Sequence, residues 1–170
     1  EYPNEYGEKI ANIALNTYIN QRGQATLAAA EASRENGNSP NTVVSGAVAI
    51  VGKKMVEPAM DAAKALLNLF QFAKFNDATS DFDYAEELQA AKVHKDVLLT
   101  GTDDASADKM VTYLSQDVQS VFIKFLLDFA KEEGGKPSTD AMIAAIWMTL
   151  GWKGMKSKKI TKGTITRLPW

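Results

Sequence analysis

Between Val111 and Phe129 apolar residues return at helical intervals: Val111, Leu114, Val118, Val121, Phe122, Phe125, Leu126 and Phe129. Steps of three and four residues put side chains on one face of an α-helix. The stripe is too broad for a two-stranded seam and belongs against a globular core. Punctuation brackets it. "TGTDD" (100–104) offers Gly101 to end one helix and Thr102 or Asp103 to cap the next, and "GGKPSTD" (134–140) closes the segment. A helix from that cap to about Glu133 is therefore the central element expected of the fold.

The same reading extends along the chain. Ile10, Ile13, Ala14, Thr17 and Tyr18, followed by the helix-forming "ATLAAAEA", predict a helix from about Glu8 to Glu35, stopped by "NGNSPN" (36–41). Thr42–Met55 is rich in β-branched residues. Its spacing of Val44, Ala47, Val48 and Val51 nevertheless fits a buried helix, and no convincing partner strand lies nearby. Pro58 suits a first helical position ahead of Ala63, Leu66, Leu67 and Phe70, with Phe72 and Phe75 widening the stripe. Ser80 and Asp83 resemble a capping box before a short helix through Ala85, Leu88 and Ala91 towards Leu99. Ser138 caps a last helix that places Ile143, Ile146, Trp147 and Leu150 on one side and ends at Gly151.

These segments predict an all-α, single-domain bundle of about six helices, preceded by an extended N-terminal arm, "EYPNEYG". A chain of 170 residues buries enough surface to need no covalent staple. It has no cysteine, which excludes disulfides and thiolate metal sites. No apolar run reaches the ~18 residues of a membrane span, so a membrane role is not expected. The chain begins at Glu1 without an initiator Met, which fits a processed product, a trimmed chain or a fragment; a processed start is compatible with a secreted or virion protein, and the compartment stays open.

Charge divides the chain more sharply than hydropathy does. The net charge is −2, yet residues 1–152 hold 13 basic against 21 acidic residues, a net −8. The last 18 residues carry six cations (Lys153, Lys156, Lys158, Lys159, Lys162 and Arg167) and no acid. The expected organisation is an acidic helical domain over 1–152 and a basic C-terminal arm over 153–170. Alternating Ile and Thr around Lys162–Gly163 make the arm either extended or a small β-hairpin. So short a segment carries too little apolar surface to fold alone. It needs a surface: this chain's own acidic body, that of a neighbouring copy, or a polyanion such as nucleic acid. Leu168 and Trp170 suit a hydrophobic anchor at its tip, and Trp152 and Trp170 offer rings on which bases stack.

The remaining chemistry is sparse. His94 is the only histidine. With Asp96 or Glu87 it could serve as a base or a metal ligand, but zinc needs three or four ligands. Asp77, Asp81 and Asp83 invite a calcium reading, yet no register supplies the Gly and Glu of an EF-hand loop. Ser45 lacks the glycines of a nucleophile elbow, and Gly52–Lys53 does not complete a phosphate loop. No cofactor is implied. "AMIAAIWMTLGWKGMKSKK" has the logic of an interfacial anchor, but its apolar residues sit at core spacing.

The expected function is a non-enzymatic structural or interaction subunit that self-assembles, in a filament or virus-like assembly. The basic arm would dock on a neighbouring subunit or a polyanion. The alternatives are a secreted helical binding or effector protein acting as a monomer and, third, a hydrolase working through carboxylates.

Overall fold

The computed structural model describes residues 4–19, 25–101 and 104–167. Helices α1 (Glu5–Ile19), α2 (Ala25–Glu35), α3 (Pro40–Ala49) and α4 (Lys53–Phe70) come first. A broken helical ribbon follows: α5 (Ala85–Ala90), a 3-10 turn over Ala91–His94, and α6 (Lys95–Leu98). β1 (Leu99–Thr100) then leads to α7 (Ala105–Leu114) and α8 (Val121–Glu132), and β2 (Lys136–Pro137) leads to α9 (Thr139–Lys156) and α10 (Lys162–Ile165). The two short strands pair antiparallel, Leu99 opposite Pro137. The protein is mostly helical, in keeping with the all-α expectation.

Helix α9 is the centre of the body. Ala141, Met142, Ile143, Ala144, Ala145 and Ile146 are all fully buried in succession, which only a helix covered on every side achieves. It lies between α4 and α8. Phe70 of α4 meets Phe122 and Phe125 of α8 edge-on, each at 5.1 Å between ring centroids. Trp152 closes this cluster, stacked on Phe75 at 5.0 Å and edge-on to Phe122 at 5.0 Å. Edge-to-face aromatic pairs add about 0.5–1.5 kcal/mol each beyond the area they bury. Because α9 is enclosed, it does not end at Gly151 as expected. Gly151 is buried and the helix runs on to Lys156.

Several other expectations need correcting. The long helix up to Glu133 is two, α7 and α8, broken at 115–120. Asp104 caps α7, accepting from Ser106 and Ala107 N–H, while Thr102 and Asp103 lie outside the described residues. Ser120 caps α8, accepting from Ile123 N–H. Polar "SQDVQS" offers the backbone side-chain partners that compete with a continuous helix, and the apolar stripe carries across the break in phase.

The helix expected over Glu8–Glu35 ends at Ile19, and α2 begins at Ala25, with 20–24 outside the described residues. Glu5–Gly7, assigned to an extended arm, form the first turn of α1. There Tyr6 is buried and Asn4 Oδ1 accepts from Gly7 N–H. α4 starts five residues before Pro58, which sits inside it. No capping box forms at Ser80; Asp83 Oδ1 instead accepts from Ala85 N–H.

The buried helix expected over 42–55 is helical in α3 but not buried. α2 and α3 form a hairpin in which no described side chain is buried. They pack chiefly on each other and touch the rest of the described chain only marginally. Ser39 caps α3, and Pro40 follows at the first helical position.

Candidate functional site: the basic C-terminal end

The expected basic arm starts inside α9, which crosses from Trp152 to Lys153 without interruption. The helix ends in a Schellman motif. Lys159 N–H donates to the Gly154 carbonyl at 2.8 Å and Lys158 N–H to the Met155 carbonyl at 3.0 Å. Lys158 holds the left-handed position, φ 61°, that glycine usually fills. The turn sends the chain back across the body. Ile160 packs against Gly154 and the core, and Thr161 caps α10, accepting from Thr164 N–H. Ile165 is fully buried. Residues 162–165 therefore form a helical turn in place of the β-hairpin expected around Lys162–Gly163. Ile165 goes to the core, where a hairpin would have needed partner strand residues.

Two lysines fasten this end to the loop after α4. Lys156 Nζ donates to the Ala73 carbonyl at 2.8 Å and lies 5.4 Å above the Trp152 ring. Its aliphatic stem thus covers apolar surface while its charge keeps a polar partner. Lys162 Nζ donates to Gln71 Oε1 at 2.8 Å and lies 6.0 Å from the exposed Phe72 ring. Trp152 completes the attachment, its Nε1–H donating to the Phe75 carbonyl at 3.1 Å. Trp152 is buried, so no base can stack on it. Leu168 and Trp170, the expected anchor, lie outside the described residues.

The cations divide accordingly. Lys156 is half-buried and structural. Lys153 is exposed and near Asp77, whose carboxyl is held below its usual range first by Thr79 N–H and the Thr79 hydroxyl and lastly by Lys153. Lys158, Lys159, Lys162 and Arg167 are exposed. Among the described residues, no carboxylate lies within ion-pair distance of these four. The loop Gln71–Phe75 adds Lys74, exposed between the two carbonyls that receive Lys156 and Trp152. Sequence reasoning missed this loop because it lies about 80–90 residues away along the chain; of Phe72 and Phe75, expected to widen the α4 stripe, both lie beyond the helix and only Phe75 is buried.

Elsewhere the titratable groups serve structure. Asp104 accepts from Thr139 N–H and the Thr139 hydroxyl as well as from its own helix, so one carboxylate caps α7 and braces the start of α9. Burial alone would raise its pKa. The hydrogen bonds from Ala107, Thr139 and Ser106 outweigh that and hold it below the usual range. Asp140 is raised, first by burial and then by the charge of Asp104. Burial, followed by a short hydrogen bond to Asp128, pushes the Tyr84 hydroxyl upward. Among the described residues no three His, Asp or Glu side chains converge as a metal site would require, and no helix is long and apolar enough to cross a membrane. No protein-family model, curated protein or solved structure matches the chain.

Proposed function

We propose that the protein is a non-catalytic interaction subunit that self-associates, its basic C-terminal end docking on the acidic surface of a neighbouring copy. One observation supports this most directly. Lys158, Lys159 and Arg167 are exposed on a folded turn, without carboxylate partners among the described residues, and Lys162 beside them is bonded to Gln71. Attachment to the body converts a chain terminus into a fixed charged platform, so little ordering entropy remains to oppose binding. The complement is present on the same chain. Asp81, Asp83, Glu86 and Glu87 fall within seven residues, with no basic residue among them. A cationic patch meeting a different, anionic patch makes a head-to-tail contact, which propagates into rings or filaments.

Light scattering on a sizing column tests this. The Debye length falls from ~8 Å at about 0.15 M salt to ~3 Å at about 1 M. Assembly through this end should therefore weaken with salt, and Lys158→Glu/Lys159→Glu should weaken it at low salt. Asp83→Lys/Glu86→Lys in a second copy should restore it. A monomer at every salt and concentration favours a helical binding protein acting alone. Retention of the wild type, but not the double variant, on a nucleic-acid column makes the partner a polyanion.

A further inference from the structure

We propose that the α2–α3 hairpin is a homotypic docking surface whose occupant is the same hairpin of a second copy, the two helix pairs stacking face to face as a four-helix layer. This rests on the self-association reading but not on its charge.

The hairpin seam is made of small residues. On α2 the half-buried positions are Thr26, Ala29, Ala30 and Ser33, at helical spacing; on α3 they are Val43, Gly46 and Ala47. Outside the seam, Val44 and Val48 are 62% and 63% exposed, and Leu27, Ile50 and Val51 are exposed as well. Val44 and Val48 stand one helical turn apart, so an apolar ridge runs along the open side of α3; Ile50 and Val51 follow beyond the end of the helix. Helices of ten or eleven residues are marginal in water when their apolar face is uncovered. A seam of alanine, glycine and threonine covers little of it.

Three observations select a second copy as occupant. The first is charge. From Asn36 to Gly52 there is no ionisable residue, and the whole of 25–52 holds only Glu31, Arg34 and Glu35. Two copies can meet along this stretch with few like charges brought together, unlike the charge-rich remainder of the chain.

The second is area. Two helices about 16 Å long and 8–10 Å apart present on the order of 600 Å² of accessible surface per copy. Face-to-face stacking then buries about 1,200 Å², the lower edge of specific interfaces.

The third is the polar tip. Asn36, Asn38, Ser39 and Asn41 crown the hairpin, with Asn36 and Asn38 side chains bonded to the Ala32 and Ser33 carbonyls. Tip-first entry into a bilayer would carry all four into hydrocarbon, whereas lateral stacking leaves them in water.

The test is sedimentation of the wild type, Val44→Glu/Val48→Glu and Lys158→Glu/Lys159→Glu across a wide concentration range, at about 0.15 M and about 1 M salt. The expected result is a concentration-dependent dimer of the wild type that survives high salt. Its dissociation constant should rise about tenfold or more in the valine variant, where glutamates would be buried at the contact. Helicity by circular dichroism should be unchanged, since both valines are exposed.

If the valine variant dimerises like the wild type, or no dimer survives high salt, the proposal is overturned; a salt-sensitive assembly lost only in the lysine variant then leaves the charge reading standing. If the dimer is lost in the valine variant alone, the proposal holds and the charge reading fails. A monomer throughout overturns both. A second measurement uses the absence of native cysteine. Val48→Cys should oxidise to a disulfide-linked homodimer and Val93→Cys, at a still more exposed position, should not; equal cross-linking of the two counts against the hairpin.

Discussion

The Tyr6 hydroxyl accepts hydrogen bonds from the backbone N–H of Ser120 at 3.1 Å and of Gln119 at 3.3 Å, fastening the first helix to the start of α8. Ser120 is fully buried, and its own hydroxyl caps α8 while sharing a 2.6 Å bond with Thr149 of α9. One tyrosine oxygen thus supplies an acceptor at a point where three helices meet. Tyr6→Phe keeps the ring and strands a buried donor. The expected loss is about 1–2 kcal/mol in urea unfolding, with an unchanged denaturant slope.

Asp104 and Asp140 give opposite pH responses at one helix junction. The folded-state pKa of Asp104 is lowered, so its contribution is present above the ordinary carboxylate value and is lost as pH falls through the folded one. Asp104→Ala should cost about 2–3 kcal/mol at neutral pH, and the difference from wild type should shrink below about pH 4.

Asp140 is raised, so it favours the folded state while protonated, and that favour is lost as pH rises through its folded pKa. A carboxylate in the first turn of α9 gains about 0.3–1 kcal/mol from the helix dipole, but burial and the neighbouring Asp104 prevail. Asp140→Asn should therefore stabilise the protein by about 0.5–1 kcal/mol at neutral pH and lose that advantage in acid. Parallel melts at several pH values read both effects.

Lys158 occupies a left-handed backbone position at a cost that glycine avoids. Lys158→Gly should raise stability by roughly 0.5–1 kcal/mol, because relief of the strain exceeds the entropy glycine adds to the unfolded chain. The same change removes one outward cation. Stability and salt-sensitive association should then move in opposite directions in a single variant, read by thermal melts and light scattering.

What the sequence made legible was what local pattern determines. Ser138 caps α9 and the Ala63–Phe70 stripe lines α4, as the spacing requires. The break before Ser120 was hidden because Val111, Leu114, Val118 and Val121 keep one period across it. Buried Ile165 was hidden in an Ile/Thr alternation that reads equally as strand. The six cations of the basic end were plain in the composition, whereas Gln71 and Phe72 beneath Lys162 came from a loop that local pattern cannot bring there. The spacing over 42–55 predicted a buried helix; the helix forms in α3, but Val44 and Val48 are exposed and Val51 lies beyond its end, because local pattern does not tell what this chain brings against it.

A hairpin that contributes nothing to the interior is held by different constraints from the body. Substitutions at Leu66 or Phe122 must satisfy every neighbour at once, but those at Val44 or Val48 answer only to whatever arrives from outside. Residues 25–52 can therefore be resurfaced while the scaffold stays put, turning one architecture towards new companions without being rebuilt.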